Sequence, residues 1–170
     1  MRPLAATRVA FVILSECMFR YTPTSLNSTT GYFDLVVKAY PPGGGDGVSS
    51  YITSLKPGDN IEVKGCYTKK KIVANQYKQI GLIAGGSGLT PMLQVAQELL
   101  NTVEDETKLS LLFANVSPDD VYLKDELDEL ATLFPERFSV TYVHSLIPGI
   151  RGSPLLICLV HNASQPGCYA

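Results

Sequence analysis

Apolar and polar positions alternate most clearly from Tyr32 to Tyr40, with Phe33, Leu35, Val37 and Ala39 on one side and Asp34, Val36, Lys38 and Tyr40 on the other. A two-residue period predicts a half-buried strand, and it sets Lys38 beside Tyr40, a cation next to a ring. A second alternation, Ile61-Glu62-Val63-Lys64, predicts a strand that the Pro57-Gly58-Asp59 turn introduces and Gly65 ends. Between them Pro41 to Gly47 reads as a flexible turn, and Ser49 stands where it would cap a short helix through Ile52 and Leu55. Lys69, Lys70 and Lys71 read as a solvated loop. Near the start, Val9 to Leu14 is a short apolar run that fits a buried strand. Arg2 and Arg8, with no acid before Glu16, leave a targeting peptide as the alternative.

After Lys78 the pattern changes. Ile80 to Ala84 is an apolar run of strand length that stops at a glycine cluster, and Met92, Val95, Ala96, Leu99 and Leu100 then recur on one helical face. Thr90 would cap this helix and Pro91 would take its first position. Leu109 to Ala114 predicts a second buried strand. Ser117 and Pro118 would open a helix facing the sheet through Leu123, Leu127, Leu130, Ala131 and Phe134, and Phe138, Val140 and Tyr142 mark a third strand. Strand alternating with helix predicts a parallel sheet, whereas the short strands before it predict an antiparallel one. The chain therefore divides near Gln76 into residues 1–76 and 77–145. Residues 146–170 show no helix or cap beyond a Leu-Leu-Ile-Cys-Leu-Val run and read as an atypical tail.

With 170 residues and 45% hydrophobic content the chain can bury a core. A net charge of −2 leaves no basic footprint, so nucleic acid is not an expected partner. Cys17, Cys66, Cys158 and Cys168 lack zinc-type spacing, so no metal site is expected, and their scatter fits reduced thiols better than a disulfide framework. Val9 to Leu14 falls far short of the ~20 residues that a membrane-spanning helix needs.

The residue chemistry concentrates in the glycine turn. Gly85, Gly86 and Gly88 have no side chains to hold a phosphate away, and the helix that follows points free N–H groups and its positive dipole end into the turn. A dinucleotide pyrophosphate would fit there. The spacing is not the full G-x-G-x-x-G, because Pro91 stands where the third glycine would be, and a glycine-rich turn that binds nothing is the alternative. Upstream, Arg20-Tyr21-Thr22-Pro23-Thr24-Ser25 gathers a cation, a phenol and hydroxyls in a segment that Pro23 keeps extended.

Together these residues resemble the NADH-cytochrome b5 reductase family of ferredoxin-NADP reductase-like flavoproteins. The resemblance is carried by Tyr21-Thr22-Pro23-Thr24-Ser25, Gly31 to Tyr40, Gly47-Val48-Ser49-Ser50-Tyr51, Leu55 to Asp59, Gly85 to Met92 and Ala114-Asn115, in that order, over roughly Arg20 to Tyr142. It implies a partial antiparallel FAD-binding β-barrel followed by a partial Rossmann-like parallel sheet for the nicotinamide, a two-part α+β and α/β fold. It further implies hydride transfer from NADH to FAD and then electron transfer to a haem protein such as cytochrome b5. By the same resemblance Tyr21 and Thr22 contact the flavin ring, with Thr22 at its reactive nitrogen. Val37, Lys38 and Tyr40 line the flavin and nicotinamide site, and Gly47, Val48 and Ser49 hold the FAD pyrophosphate. Gly85, Gly86, Ser87, Gly88, Thr90 and Pro91 take NADH. Thr22 and Lys38 become the catalytic candidates. No arginine follows Asn115 to receive a 2′-phosphate, which favours NADH over NADPH.

The chain also departs from the family pattern. Phe19 stands where the phosphate-binding arginine belongs, with Arg20 one position late; Cys66 replaces a proline, and Ser145 an aspartate. Residues Met1 to Phe19 look too short for the opening barrel strands, and the later Cys-Gly-Pro-Pro segment is missing, so the expectation is a reductase-type chain truncated at both ends. The resemblance implies the endoplasmic reticulum or the outer mitochondrial membrane, facing the cytosol, since relatives are often held there by an N-terminal segment, and no such segment is read in Met1 to Phe19. A reductase fragment of the nitrate reductase type and a non-catalytic fragment acting through its sheet edges are the alternatives.

Overall fold

The computed structural model describes residues 5–14, 17–40, 47–144 and 157–159, with side chains described outside 5–18, 65–71 and 157–159. Strands β1 (Ala5–Leu14) and β2 (Cys17–Tyr21) form an antiparallel hairpin in which Phe11 faces Arg20 and Ala10 faces Tyr21. After helix α1 (Val48–Ser54), β3 (Val63–Ile72) pairs antiparallel with the other edge of β1, giving the order β2-β1-β3. The segment before Tyr21, expected to be too short for barrel strands, thus supplies two of the three. Val9 to Leu14 is strand, as its apolar run suggested.

Four expectations about single elements in this half are corrected. Gly65 does not end a strand, because β3 continues through it and through Lys69, Lys70 and Lys71, where β1 offers backbone partners as far as Ala5 opposite Ile72. Tyr32 to Tyr40 is not a strand. Alternation sorts side chains between two faces but cannot provide a ladder, and the described residues give this segment one backbone bond, from the Thr24 N–H to the Asp34 carbonyl at 2.9 Å. Ser49 does not cap α1; Gly47 does, at φ 78°, and Leu55 is already extended.

The second half follows the expected alternation. Strand β4 (Gln79–Gly85) leads through a 3₁₀ turn, Gly86–Gly88, into α2 (Leu89–Leu100). Strand β5 (Lys108–Asn115) and α3 (Lys124–Leu133) follow, then β6 (Phe138–His144). The sheet order is β6-β5-β4-β7, with β4, β5 and β6 parallel. Its last member, β7 (Ile157–Leu159), lies antiparallel on β4 and lifts part of the apolar run out of the supposed tail; residues 160–170 lie outside the described residues. Ile80, Leu82 and Ala84 of β4 and Leu109, Leu111 and Phe113 of β5 meet Met92, Val95, Ala96, Leu99 and Leu100 of α2 and Leu127 of α3 in one core. Ile72 joins this core from β3, and α2 also lies against β1, so one helix serves both sheets.

Helix starts differ from the expectation. Helix α2 begins at Leu89 with Gly88 as its cap, so Thr90 is inside the helix and its hydroxyl donates to the Ser87 carbonyl at 3.4 Å; Pro91 is the third helical residue, not the first. Ser117 and Pro118 open only a 3₁₀ turn, Pro118–Asp120, because Leu123 at φ 54° breaks the chain direction before α3 begins. Between the halves, buried Asp105 accepts the Asn75 N–H at 2.9 Å and the Thr107 N–H at 2.8 Å and pairs with Arg137 at 3.3 Å. Arg137 also donates to the Leu99 carbonyl at 2.9 Å, tying the connector to the end of α2.

Candidate functional site

Strand β2 delivers Arg20 and Tyr21 to its own end, and Thr22 follows as the chain leaves the sheet. Pro23 is buried, and the loop beyond it is closed by the Thr24 bond to Asp34 and by the Ser25 Oγ, which accepts the Asp34 N–H at 3.1 Å. Beyond that closure, segment 36–40 returns to the neighbourhood of Tyr21. Within it the Lys38 Nζ stands 5.6 Å from the centroid of the Tyr40 ring, the juxtaposition the alternation anticipated. Ser49 enters from the first turn of α1, buried to 5% exposure.

Opposite these residues lies the start of α2. A cleft of about 360 Å³ has one wall made by Arg20, Tyr21, Thr22, Val37, Lys38, Tyr40 and Ser49, and another made by Ser87, Gly88, Thr90 and Pro91. Phe19, which stands at the family's arginine position, and Val36, on the same side of the alternation as Lys38 and Tyr40, also line it, though neither was a site candidate. Four sequence candidates stay outside the lining. Val48 is buried at 2% exposure, Gly47 is exposed beside it, Gly85 pairs with Ala114 in the sheet, and Gly86 turns the chain at φ 47°. Two cations and no carboxylate line the cleft, and the first turn of α2 carries no acid, so an anion meets only favourable charge there. The volume suits the ring end of a dinucleotide, in the range of small-molecule pockets of roughly 300–1,000 Å³. A smaller hollow of about 170 Å³ lies at the opposite end of the sheet, between the starts of β5 and β6, away from the carboxyl ends where open α/β sheets bind ligands.

The glycine turn is held from behind. The Tyr122 hydroxyl donates to the Gly86 carbonyl at 2.8 Å, and its ring meets Phe113 edge-on at 5.7 Å between centroids. Burial pushes the Tyr122 phenol well up, only partly offset by the Leu89 N–H. Phe113 also touches Tyr142, whose hydroxyl donates to Asp128 Oδ1 at 2.8 Å. Lys124, bonded to the same carboxylate, holds Asp128 below the usual carboxylate range with help from Tyr142, while burial and then Asp128 raise the Tyr142 phenol. Periodicity could not disclose Tyr122, since its partner is 36 residues away in another element. Ser145 lies outside the described residues, and among those described no cluster of residues could hold a metal ion.

Two family models match the chain, the oxidoreductase FAD-binding domain over residues 6–72 and the oxidoreductase NAD-binding domain over residues 82–152. An NADH-cytochrome b5 reductase-like protein of Arabidopsis thaliana is 53% identical over 115 residues, covering 68% of this chain and 34% of the relative. NADH-cytochrome b5 reductase 1 of Neosartorya fischeri is 47% identical over 133 residues, 75% of this chain and 42% of the relative. The chain thus spans less than half the length of either. The cytochrome b5 reductase domain of Ulva prolifera nitrate reductase superposes with a TM-score of 0.70 at 36% identity, over 89% of this chain and 64% of that one. A mutant ferredoxin-NADP+ reductase from Plasmodium falciparum, at TM-score 0.72 and 17% identity over 86% of this chain and 59% of that one, shares the fold. With both domain models in sequence order and both halves meeting at one cleft, the chain belongs to the NADH-cytochrome b5 reductase family of flavoproteins.

Proposed function

We propose that this chain supplies the flavin and nicotinamide walls of a reductase that takes a hydride from NADH and passes electrons to a haem protein of the cytochrome b5 kind. The observation that carries the reading is the single cleft lined from both sides by residues expected to contact FAD and NADH. The division near Gln76 then separates a flavin half from a nicotinamide half. Bound FAD would accept the hydride at its ring. Tyr21 and Thr22 would place the ring, with the Thr22 hydroxyl as a hydrogen-bond partner, and Val37, Lys38 and Tyr40 on the same wall would line the flavin and nicotinamide site. Arg20 and the first turn of α1 at Gly47, Val48 and Ser49 would meet the FAD pyrophosphate. Gly85, Gly86, Ser87, Gly88, Thr90 and Pro91 would receive NADH, so that the nicotinamide and the flavin approach each other in one cleft. With Asn115 ending β5 and no arginine after it, NADH is the expected donor.

The test is the visible absorption spectrum of the purified chain after reconstitution with FAD, before and after NADH without oxygen. A flavin spectrum that bleaches supports the reading. A bound flavin that does not bleach removes the nicotinamide half of it, and no bound flavin overturns it. A ferricyanide or cytochrome b5 assay then tests the acceptor.

A further inference from the structure

Helix α2 does more than begin at the glycine turn. One turn past Pro91 the Gln94 side chain is 1% exposed, and its Nε2 donates to the Pro23 carbonyl at 3.1 Å. Four residues on, Glu98 Oε1 accepts the Asn27 N–H. Residues i and i+4 share a helix face, so Gln94 and Glu98 form a two-point clamp on the strap Pro23–Asn27. This strap leaves β2 immediately after Tyr21 and Thr22, one wall of the cleft, while Thr90 and Pro91, at the other end of the same helix face, belong to the second wall. Both bonds join groups 71 residues apart in sequence, across the division between the halves. A glutamine buried this deeply would cost free energy without partners, and the Pro23 carbonyl of the strap is one that it has.

We infer that Gln94 and Glu98 are positioning residues that couple the two halves: a flavin seated on Tyr21 and Thr22 fixes the strap, the strap fixes α2 along its length, and the glycine turn becomes better shaped for the nicotinamide nucleotide. This rests on the reading of the cleft given above. Coupling of this kind is reciprocal, so each ligand tightens the other by the same factor, typically 5–150-fold where two sites communicate. Neither residue lines the cleft, so their loss removes the coupling and not the contacts.

The experiment measures FAD binding by flavin fluorescence quenching, and NAD+ binding by calorimetry with and without saturating FAD, on the full chain and its Gln94→Met, Glu98→Leu and Glu98→Gln variants. The wild-type chain is expected to bind NAD+ at least about fivefold more tightly with FAD present. Gln94→Met and Glu98→Leu bring that ratio close to one while NAD+ binding alone stays within about twofold, and Glu98→Gln, which keeps the acceptor oxygen, retains the ratio. A wild-type ratio near one, or a ratio preserved in the two disrupting variants, overturns the inference and leaves the reductase reading standing. Absence of FAD binding in the wild type overturns both. Should Gln94→Met fail to fold by circular dichroism, Glu98→Leu decides alone, because Glu98 is only partly buried.

Discussion

Tyr122 shows how one side chain sets the shape of the site without lining it. Its hydroxyl holds the Gly86 carbonyl, and Tyr122→Phe keeps the ring against Phe113 while removing that bond. The expected cost is about 1 kcal/mol in urea unfolding, with weaker NAD+ binding and unchanged FAD binding in titrations. Because burial raises this phenol, the folded state keeps the proton more tightly than the unfolded chain. The stability it brings is present below pH ~10 and falls as pH rises further, so Tyr122→Phe should lessen the alkaline loss seen in melts. Asp128 works in the other direction. With its carboxyl depressed by Lys124 and Tyr142, its contribution is present above pH ~4 and lost as pH falls through the lower folded value. The Lys124 pair is largely exposed, so Asp128→Asn should cost under about 1 kcal/mol at neutral pH and nothing in strong acid, checked by melts across that range. Individual side chains were legible where chemistry is local: Lys38 beside Tyr40 came from alternation alone. Tyr122, Gln94 and Asp105 were not, because each finds its partner through the fold.

Elements were legible to the extent that burial imposes a period. The face Met92, Val95, Ala96, Leu99 and Leu100 is buried as expected, since a 3.6-residue repeat has one way to meet a sheet. Helix starts were not. Thr90 and Ser117 have capping side chains, yet backbone turns just before the helices take over the role, at Gly88 and at Leu123. The same limit explains segment 32–40, whose alternation was genuine but which lacks a neighbouring strand among the described residues. At the glycine turn the requirement is conformational and not steric. Gly86 sits at φ 47° with nothing within 4 Å of an added Cβ, so Gly86→Ala should cost about 1–2 kcal/mol in thermal melts through backbone strain alone.

At the scale of the whole molecule, the two sheets are not independent. Ile72 of β3 lies in the core beneath the parallel sheet, α2 lies against β1, and Asp105 binds the connector. Urea unfolding should therefore be a single transition, with circular dichroism and tyrosine fluorescence coincident; two separated transitions would contradict this. The two-part architecture and its order could be read from the change of texture between short alternating strands and strand–helix repeats, and the family from short motifs spread along the chain. The sharing of α2 could not, because it depends on contacts no period encodes. Strand β7 carries a consequence in time. It joins β4 through three residue pairs, from Gly81 opposite Leu159 to Ile83 opposite Ile157, so the chain must close a long loop for a very short ladder. As the polypeptide leaves the ribosome, β5 and β6 can assemble on one side of β4 while its other edge waits for a segment made after both of them. That edge is the late step of folding and, with so few bonds, the early step of unfolding.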